Sequence, residues 1–177
     1  MKLVLATQNP KKLKEMNEIL SHLGVEVVSE AELGVRIEVE ETGETFTDNA
    51  RLKATAVMQA TGLPAVADDS GLCVDALNGG PGVYSARFGG EGLDDKGRYT
   101  LLLEMLRGQT DRAAHFHTSI VCAFPNGDEL VCEGECPGTI AFAPMGEGGF
   151  GYDPVFFVPE LRKTFGQLTA EEKAVSY

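Results

Sequence analysis

The step from the first apolar run to the first helical pattern constrains this chain more than any other feature. Leu3-Val4-Leu5-Ala6 is a short apolar run. Thr7-Gln8-Asn9-Pro10-Lys11-Lys12 follows, and then Leu13, Met16, Ile19, Leu20 and Leu23 recur at helical spacing. Asn9 is a favoured N-cap, and Pro10 suits the first helical position, where its missing N–H leaves no bond unmade. A strand that feeds directly into a capped helix aims free backbone N–H groups at whatever lies beyond the strand. Lys11 and Lys12 stand in the first turn, where the helix dipole favours acids. Cations set against the dipole point to a bound anion, most simply a phosphate.

A second feature carries chemistry. Ala65-Val66-Ala67 ends in Asp68-Asp69-Ser70-Gly71, which predicts a carboxylate pair at the end of a buried strand. Adjacent ionised carboxylates repel unless a cation or a proton intervenes. Magnesium is the natural cation for carboxylates near phosphates. A solvated turn, in which Asp and Ser bond the local backbone, accounts for the same residues equally well. Glu38, Glu40 and Glu41 form another acidic group before Thr42-Gly43. One of them could join the aspartates; a solvated edge strand explains them when taken alone. Lys53 follows Asn49 by four residues, so the two share a helix face. A phosphate-facing role and a plain surface lysine are both open for it.

The remaining elements follow from pattern and punctuation. Thr45 or Thr47 caps a second helix through Asn49, Leu52, Lys53, Val57 and Met58, which stops at Gly62. Strands are expected at 64–68 and 72–77. Asp94 or Asp95 opens a third helix with Leu102, Leu103, Met105 and Leu106 on its apolar face and Gly108 as C-cap. The second half is richer in strands. Residues 115–124 and 129–136 flank Pro125-Asn126-Gly127-Asp128, a hairpin signal, and further strands are expected at 138–143 and 155–158. Strands and helices that alternate early, with antiparallel strands later, predict an α/β fold with a mixed sheet.

Several readings can be weighed and set aside. Gly146-Glu147-Gly148-Gly149-Phe150-Gly151 matches Gly-x-Gly-x-x-Gly, but a strand-like Val155-Phe156-Phe157-Val158 follows where a dinucleotide site needs a helix. A turn there would present Phe150 and Asp153 to a flat ring, or would bury a core Phe. His115 and His117 share one strand face without a third nitrogen or sulfur ligand, which favours a structural or surface role. Cys73, Cys122, Cys132 and Cys136 lie in strand contexts with no Cys-x-x-Cys pair, so reduced core thiols are expected.

At 177 residues one domain is expected. The net charge of −12 disfavours a broad nucleic-acid surface. A local basic pocket and a metal can still attract a small anion. No apolar run reaches membrane-spanning length and no signal peptide is visible, so no membrane partner and a cytoplasmic setting are expected. Thr169-Ala170-Glu171-Glu172 has capping-box spacing, yet Tyr177 comes five residues later. The domain, 1–177, is therefore expected to lack its C-terminal helix.

These segments together resemble the inosine triphosphate pyrophosphatase family over essentially the whole chain. The matching stretches are Ala6-Thr7-x-Asn9-x-x-Lys12-x-x-Glu15, Glu40-Glu41-Thr42-Gly43 with Thr45-Phe46, and Asn49-Ala50-x-x-Lys53-Ala54. They continue through Ala67-Asp68-Asp69-Ser70-Gly71-Leu72, Pro81-Gly82-Val83-Tyr84-Ser85-Ala86-Arg87, Gly148-Gly149-Phe150-Gly151-Tyr152-Asp153-Pro154 and Leu168-Thr169-x-Glu171-Glu172-Lys173. The resemblance implies a two-lobed α/β fold with a long mixed sheet, a nucleotide cleft between the lobes, and a homodimer. It implies magnesium-dependent hydrolysis of ITP, dITP and XTP to monophosphate and pyrophosphate. By match, Thr7, Gln8, Asn9, Pro10, Lys11 and Lys12 would hold phosphate, with Lys53 assisting. Glu41, Asp68 and Asp69 would bind metal, and Asp69 would act as general base. Ser70 would contact substrate, while Phe150, Gly151, Tyr152, Asp153 and Lys173 would frame the base. The family continues past this lysine with Ser-His-Arg, whose His-Arg pair reads the purine carbonyls, and a helix; here Ala174-Val175-Ser176-Tyr177 follow. Neighbouring readings are a pyrophosphatase for modified pyrimidine nucleotides and a nucleotide-binding protein without turnover.

Overall fold

The computed structural model describes residues 1–6, 10–149 and 151–169, with the side chains of residues 10–12 outside the description. Eight strands and three α-helices occur among the described residues. They are β1 (Lys2–Leu5), α1 (Pro10–Leu20), β2 (Glu26–Ser29), α2 (Phe46–Thr61), β3 (Ala65–Val74), β4 (Gly80–Pro81), α3 (Asp95–Met105), β5 (Ala113–Ala123), β6 (Glu129–Ile140), β7 (Phe156–Val158) and β8 (Lys163–Thr164). The sheet order is β2-β1-β3-β5-β6-β7-β8, with β4 alongside β3. Strand β1 is parallel to β2 and β3, whereas β4 runs antiparallel to β3, and β7 to both β6 and β8. The mixed α/β sheet read from the sequence is therefore the architecture found.

The chain divides into two compact units. One comprises Met1–Asp69 with Thr118–Glu133, the other Ser70–His117 with Gly134–Tyr177. In the first, Leu13, Met16 and Leu20 of α1 pack on Leu3, Leu5, Val27 and Val66. Val4, Val28, Val57 and Ala65 form a second apolar group, and Ala50 and Ala54 meet Ala67, Val121 and Ala123 in a third. In the second unit, Phe116, Phe156 and Phe165 cluster, with Phe116 and Phe165 stacked at 5.5 Å between ring centroids. Leu72, Leu102, Leu106 and Ile140 complete that core.

The helix signals acted where hydrogen-bond chemistry required them. Thr45 Oγ1 accepts the Asp48 N–H at 3.0 Å, and Gly62, at φ +69°, ends α2 with its N–H on the Met58 carbonyl. Thr47 instead donates its hydroxyl to Glu133 Oε1 at 2.7 Å, with Ser119 Oγ 2.9 Å away. Asp94 caps α3 by accepting the Gly97 N–H at 2.7 Å.

Several expectations need correction. The strands expected at 64–68 and 72–77 are one strand, β3, and residues 75–77 form a 3-10 turn. Asp68 and Asp69 are thus in mid-strand. They behave as strand-end residues only toward β1, whose pairing with β3 stops at Leu5↔Val66. The two strands expected at 129–136 and 138–143 are likewise one, β6. Ile19, Leu23 and Met105 are exposed, not part of the apolar helix faces. Helix α3 ends at Met105, before Gly108. All four cysteines do lie on strands, but Cys132 is exposed and only Cys73 and Cys136 are buried.

Candidate active site

Three segments of the first unit converge on one lysine. Helix α2 buries Asn49, Ala50, Ala54 and Val57, and this orientation carries Lys53, one turn after Asn49, toward β3. The Lys53 ammonium donates to the Asp68 carbonyl oxygen at 2.6 Å. It also lies 3.1 Å from Glu41 Oε1 and 3.9 Å from Asp69 Oδ1. Its side chain is only 22% exposed, which overturns the plain surface reading.

Asn49 completes the arrangement, and sequence reasoning did not place it in the site. Its side chain is fully buried. Its Nδ2 donates to Asp69 Oδ2 at 3.3 Å, and its Oδ1 accepts the Gly43 N–H at 2.8 Å. One amide therefore fixes both the catalytic-candidate carboxylate and the loop carrying Glu41. The available signal was an Asn on the buried face of a helix, one turn before the lysine, since a buried amide must find partners. Gly43 is needed for this approach: a Cβ there would stand 2.6 Å from Asp48 Cβ and 2.7 Å from Asn49 Oδ1.

Burial pushes the Asp69 carboxyl up to about 6, from an ordinary 3.8. The Lys53 charge opposes this rise, Glu41 adds to it, the Asn49 hydrogen bond lowers it, and Asp68 adds again. Glu41 and Asp69 both approach the Lys53 ammonium with carboxylate oxygens, and Asp68 stands near enough to raise Asp69 further. Carboxylate oxygens are hard donors, and the residues present suit magnesium. Beside the lysine, Ala6, Glu30, Ile37, Glu38 and Val57 line an open cavity of about 260 Å³. Glu30 is buried there, with Oε2 accepting the Ile37 N–H at 3.4 Å. Glu38 and Glu40 are exposed on a segment without regular structure, Glu38 still lining that cavity, and Glu41 is the member that reaches Lys53.

The other residues singled out from the sequence lie elsewhere or beyond description. Ser70 is exposed on β3. In the second unit, the Gly151 N–H donates to Asp95 Oδ2 at 2.9 Å. The Tyr152 hydroxyl donates to the Ser85 carbonyl at 2.6 Å, and burial pushes that phenol up to about 12. Asp153 is buried, so close to Gly149 that a Cβ there would meet Asp153 Oδ2 at 2.0 Å. The Gly-rich stretch leads into a 3-10 turn and then β7, as expected of a segment that is not a dinucleotide loop. Thr7, Gln8, Asn9, Phe150 and Lys173 lie outside the described residues, as do the side chains of Pro10, Lys11 and Lys12.

A buried carboxylate on a strand of a mixed α/β sheet, with a helix lysine beside it, marks a candidate acid–base centre. Comparison with known proteins makes the class specific. The Ham1 family pattern matches residues 3–176, and the chain belongs to that family. It is 53% identical over 175 residues to the dITP/XTP pyrophosphatase of Desulforamulus reducens, across 98% of this chain and 87% of the relative. The dITP/XTP pyrophosphatase of an Exiguobacterium species is 50% identical over 175 residues, across 99% and 89%. The structure of a HAM1 protein from Coxiella burnetii superposes with a TM-score of 0.94 at 43% identity, covering 99% of this chain and 91% of that one. The resemblance read from the motifs is borne out.

Proposed function

We propose that this chain hydrolyses non-canonical purine nucleoside triphosphates, dITP, XTP and ITP, to the monophosphate and pyrophosphate. It is a hydrolase acting on acid anhydrides. The observation that carries the reading is the buried Asp69 carboxylate, fixed by Asn49 and set beside Lys53, Glu41 and Asp68. A carboxylate raised to about 6 is ionised at neutral pH yet more basic than an ordinary aspartate, which suits a general base.

In this reading Asp69 orients a water molecule and takes its proton as the water oxygen attacks the α-phosphorus. The bond between the α-phosphorus and the bridging oxygen breaks, and pyrophosphate leaves. Asn49 holds Asp69 against rotation. Lys53 lends positive charge, and Lys11 and Lys12, in the first turn of α1, bind the phosphates together with the helix N-terminus. Magnesium, held by Glu41, Asp68 and Asp69, would neutralise triphosphate charge and polarise the reacting phosphoryl group. Ser70 contacts substrate, and residues 150–153 with Lys173 frame the base. A homodimer in the cytoplasm belongs to the same proposal, and sedimentation tests the dimer. Among the described residues no helix is long and apolar enough to cross a membrane.

Pyrophosphate release from dITP, XTP and ATP, with Asp69→Asn as control, tests the assignment. Turnover of dITP and XTP well above ATP, lost in the variant and after chelation, is expected. Equal turnover of ATP and dITP would remove the substrate assignment, and a fully active Asp69→Asn would remove the mechanism.

A further inference from the structure

The second unit contains a polar group of a different kind. Strand β5 alternates inward and outward from Ala113 to His117, with Ala114 and Phe116 buried in the core. His115 and His117 therefore stand side by side on the other face. The neighbouring strand β6, reached through a short turn at 124–128, brings Glu135 against both. Glu135 Oε1 lies 3.2 Å from His117 Nδ1 and 3.8 Å from His115 Nε2. One ligand atom from each residue falls within 4.8 Å of the other two. The missing third ligand noted in the sequence is a carboxylate from the adjacent strand.

We propose that His115, His117 and Glu135 form a second metal site, selective for a borderline divalent ion such as zinc. Two imidazole nitrogens and a carboxylate oxygen are a known donor set for zinc with an open coordination position. Around a tetrahedral zinc with bonds of roughly 2.1 Å, neighbouring ligand atoms stand about 3.4 Å apart. The two Glu135 distances bracket that edge, and the two imidazole nitrogens lie within 4.8 Å of each other. Imidazole nitrogen also separates this site from the all-oxygen group at Asp69, since nitrogen donors favour zinc and carboxylates favour magnesium. The residues come from two paired strands, so a bound ion would clamp β5 to β6. The side chains of His115 and His117 are 31% and 18% exposed, open enough for an ion to enter.

The test is a calorimetric titration of zinc into the full chain without a histidine tag. Saturating magnesium is present to occupy the acidic group. The account expects one saturable equivalent, a melting temperature raised by zinc, and binding weakened about a hundredfold by His115→Gln, His117→Gln or Glu135→Gln. Unchanged melting of each variant in chelator shows that it is folded. Cobalt in place of zinc should give the visible bands of a four-coordinate ion in the wild type and lose them in the variants. No saturable zinc binding, or equal affinity in all three variants, would overturn the site. Pyrophosphate release by the zinc-free His117→Gln chain reads the proposed activity separately, so either reading can fail alone.

Discussion

Two carboxylates in the first unit are each answered by a cation from α2, and they shift in opposite directions. Glu129 receives a fork from Arg51, with Nε at 2.9 Å from Oε2 and Nη2 at 2.9 Å from Oε1, and Asp48 lies 3.3 Å from Nη1. The hydrogen bond holds Glu129 below, and Arg51 above, their ordinary ranges. Asp69 has Lys53 only at 3.9 Å, with two other carboxylates nearby, and burial holds it up at about 6. The basic residues are two positions apart on one helix and so face different surroundings. At the exposed position the ion pair is satisfied and has nothing left to do. At the buried one, burial outweighs the lysine charge, and a carboxyl perturbed in this way is a mark of functional sites.

The largest expected contrast is in turnover. Asp69→Asn should cost about a hundred- to ten-thousandfold in pyrophosphate release, the usual range for a general base. Glu129→Gln should leave turnover near the wild type. Comparable losses in both would show that the contrast does not track function.

Lys12→Ala extends the comparison to the sequence-derived phosphate site. Loss of a charged hydrogen bond of about 1.5–3 kcal/mol should weaken every triphosphate about ten- to a hundredfold, whatever its base. A change confined to one base in competition binding would show that Lys12 reads the base. Lys53→Met should move Asp69 further up, because the lysine charge now holds it down. The acidic limb of the rate–pH profile would shift toward neutral pH; an unmoved limb would detach Lys53 from Asp69.

Stability should respond in the opposite sense to activity. The folded chain binds the Asp69 proton more tightly than the unfolded chain, at about 6 against an ordinary 3.8. The associated stability is complete below 3.8 and is lost as pH rises through 6. Asp69→Asn escapes that loss. Without metal, the variant should be more stable than the wild type at alkaline pH, by of order 1–3 kcal/mol, with the gap closing on acidification. Denaturant melts across pH measure this, and a variant less stable throughout would contradict the burial argument. The smallest effect belongs to the exposed pair: a double-mutant cycle on Arg51 and Glu129 should give a coupling of about 1 kcal/mol or less, reduced by salt.

The same contrast shows what the sequence could reveal. Helix caps at Thr45 and Asp94 and the hairpin at 124–128 depend on neighbours in the chain, so local chemistry exposes them. The acid pair was visible for the same reason. That Asp68 and Asp69 are mid-strand was not, because a Ser-Gly pair reads as a turn until tertiary pairing keeps it extended. Asn49 joins Asp69 to Gly43, and Glu135 meets the histidines, through contacts between distant segments. No spacing rule reports such contacts. Spacing and motif singled out Lys53 over Arg51, but the partners that each meets came only from the fold.

The most direct measurement is a carbon-13 titration of the Asp69 carboxyl, first without metal and then with magnesium. The account predicts a value of about 6 in the metal-free chain and a clear fall when magnesium is added. An ordinary carboxylate value without metal, or a raised value that magnesium leaves unchanged, would contradict the claim that Asp69 is a buried carboxylate in need of a cation.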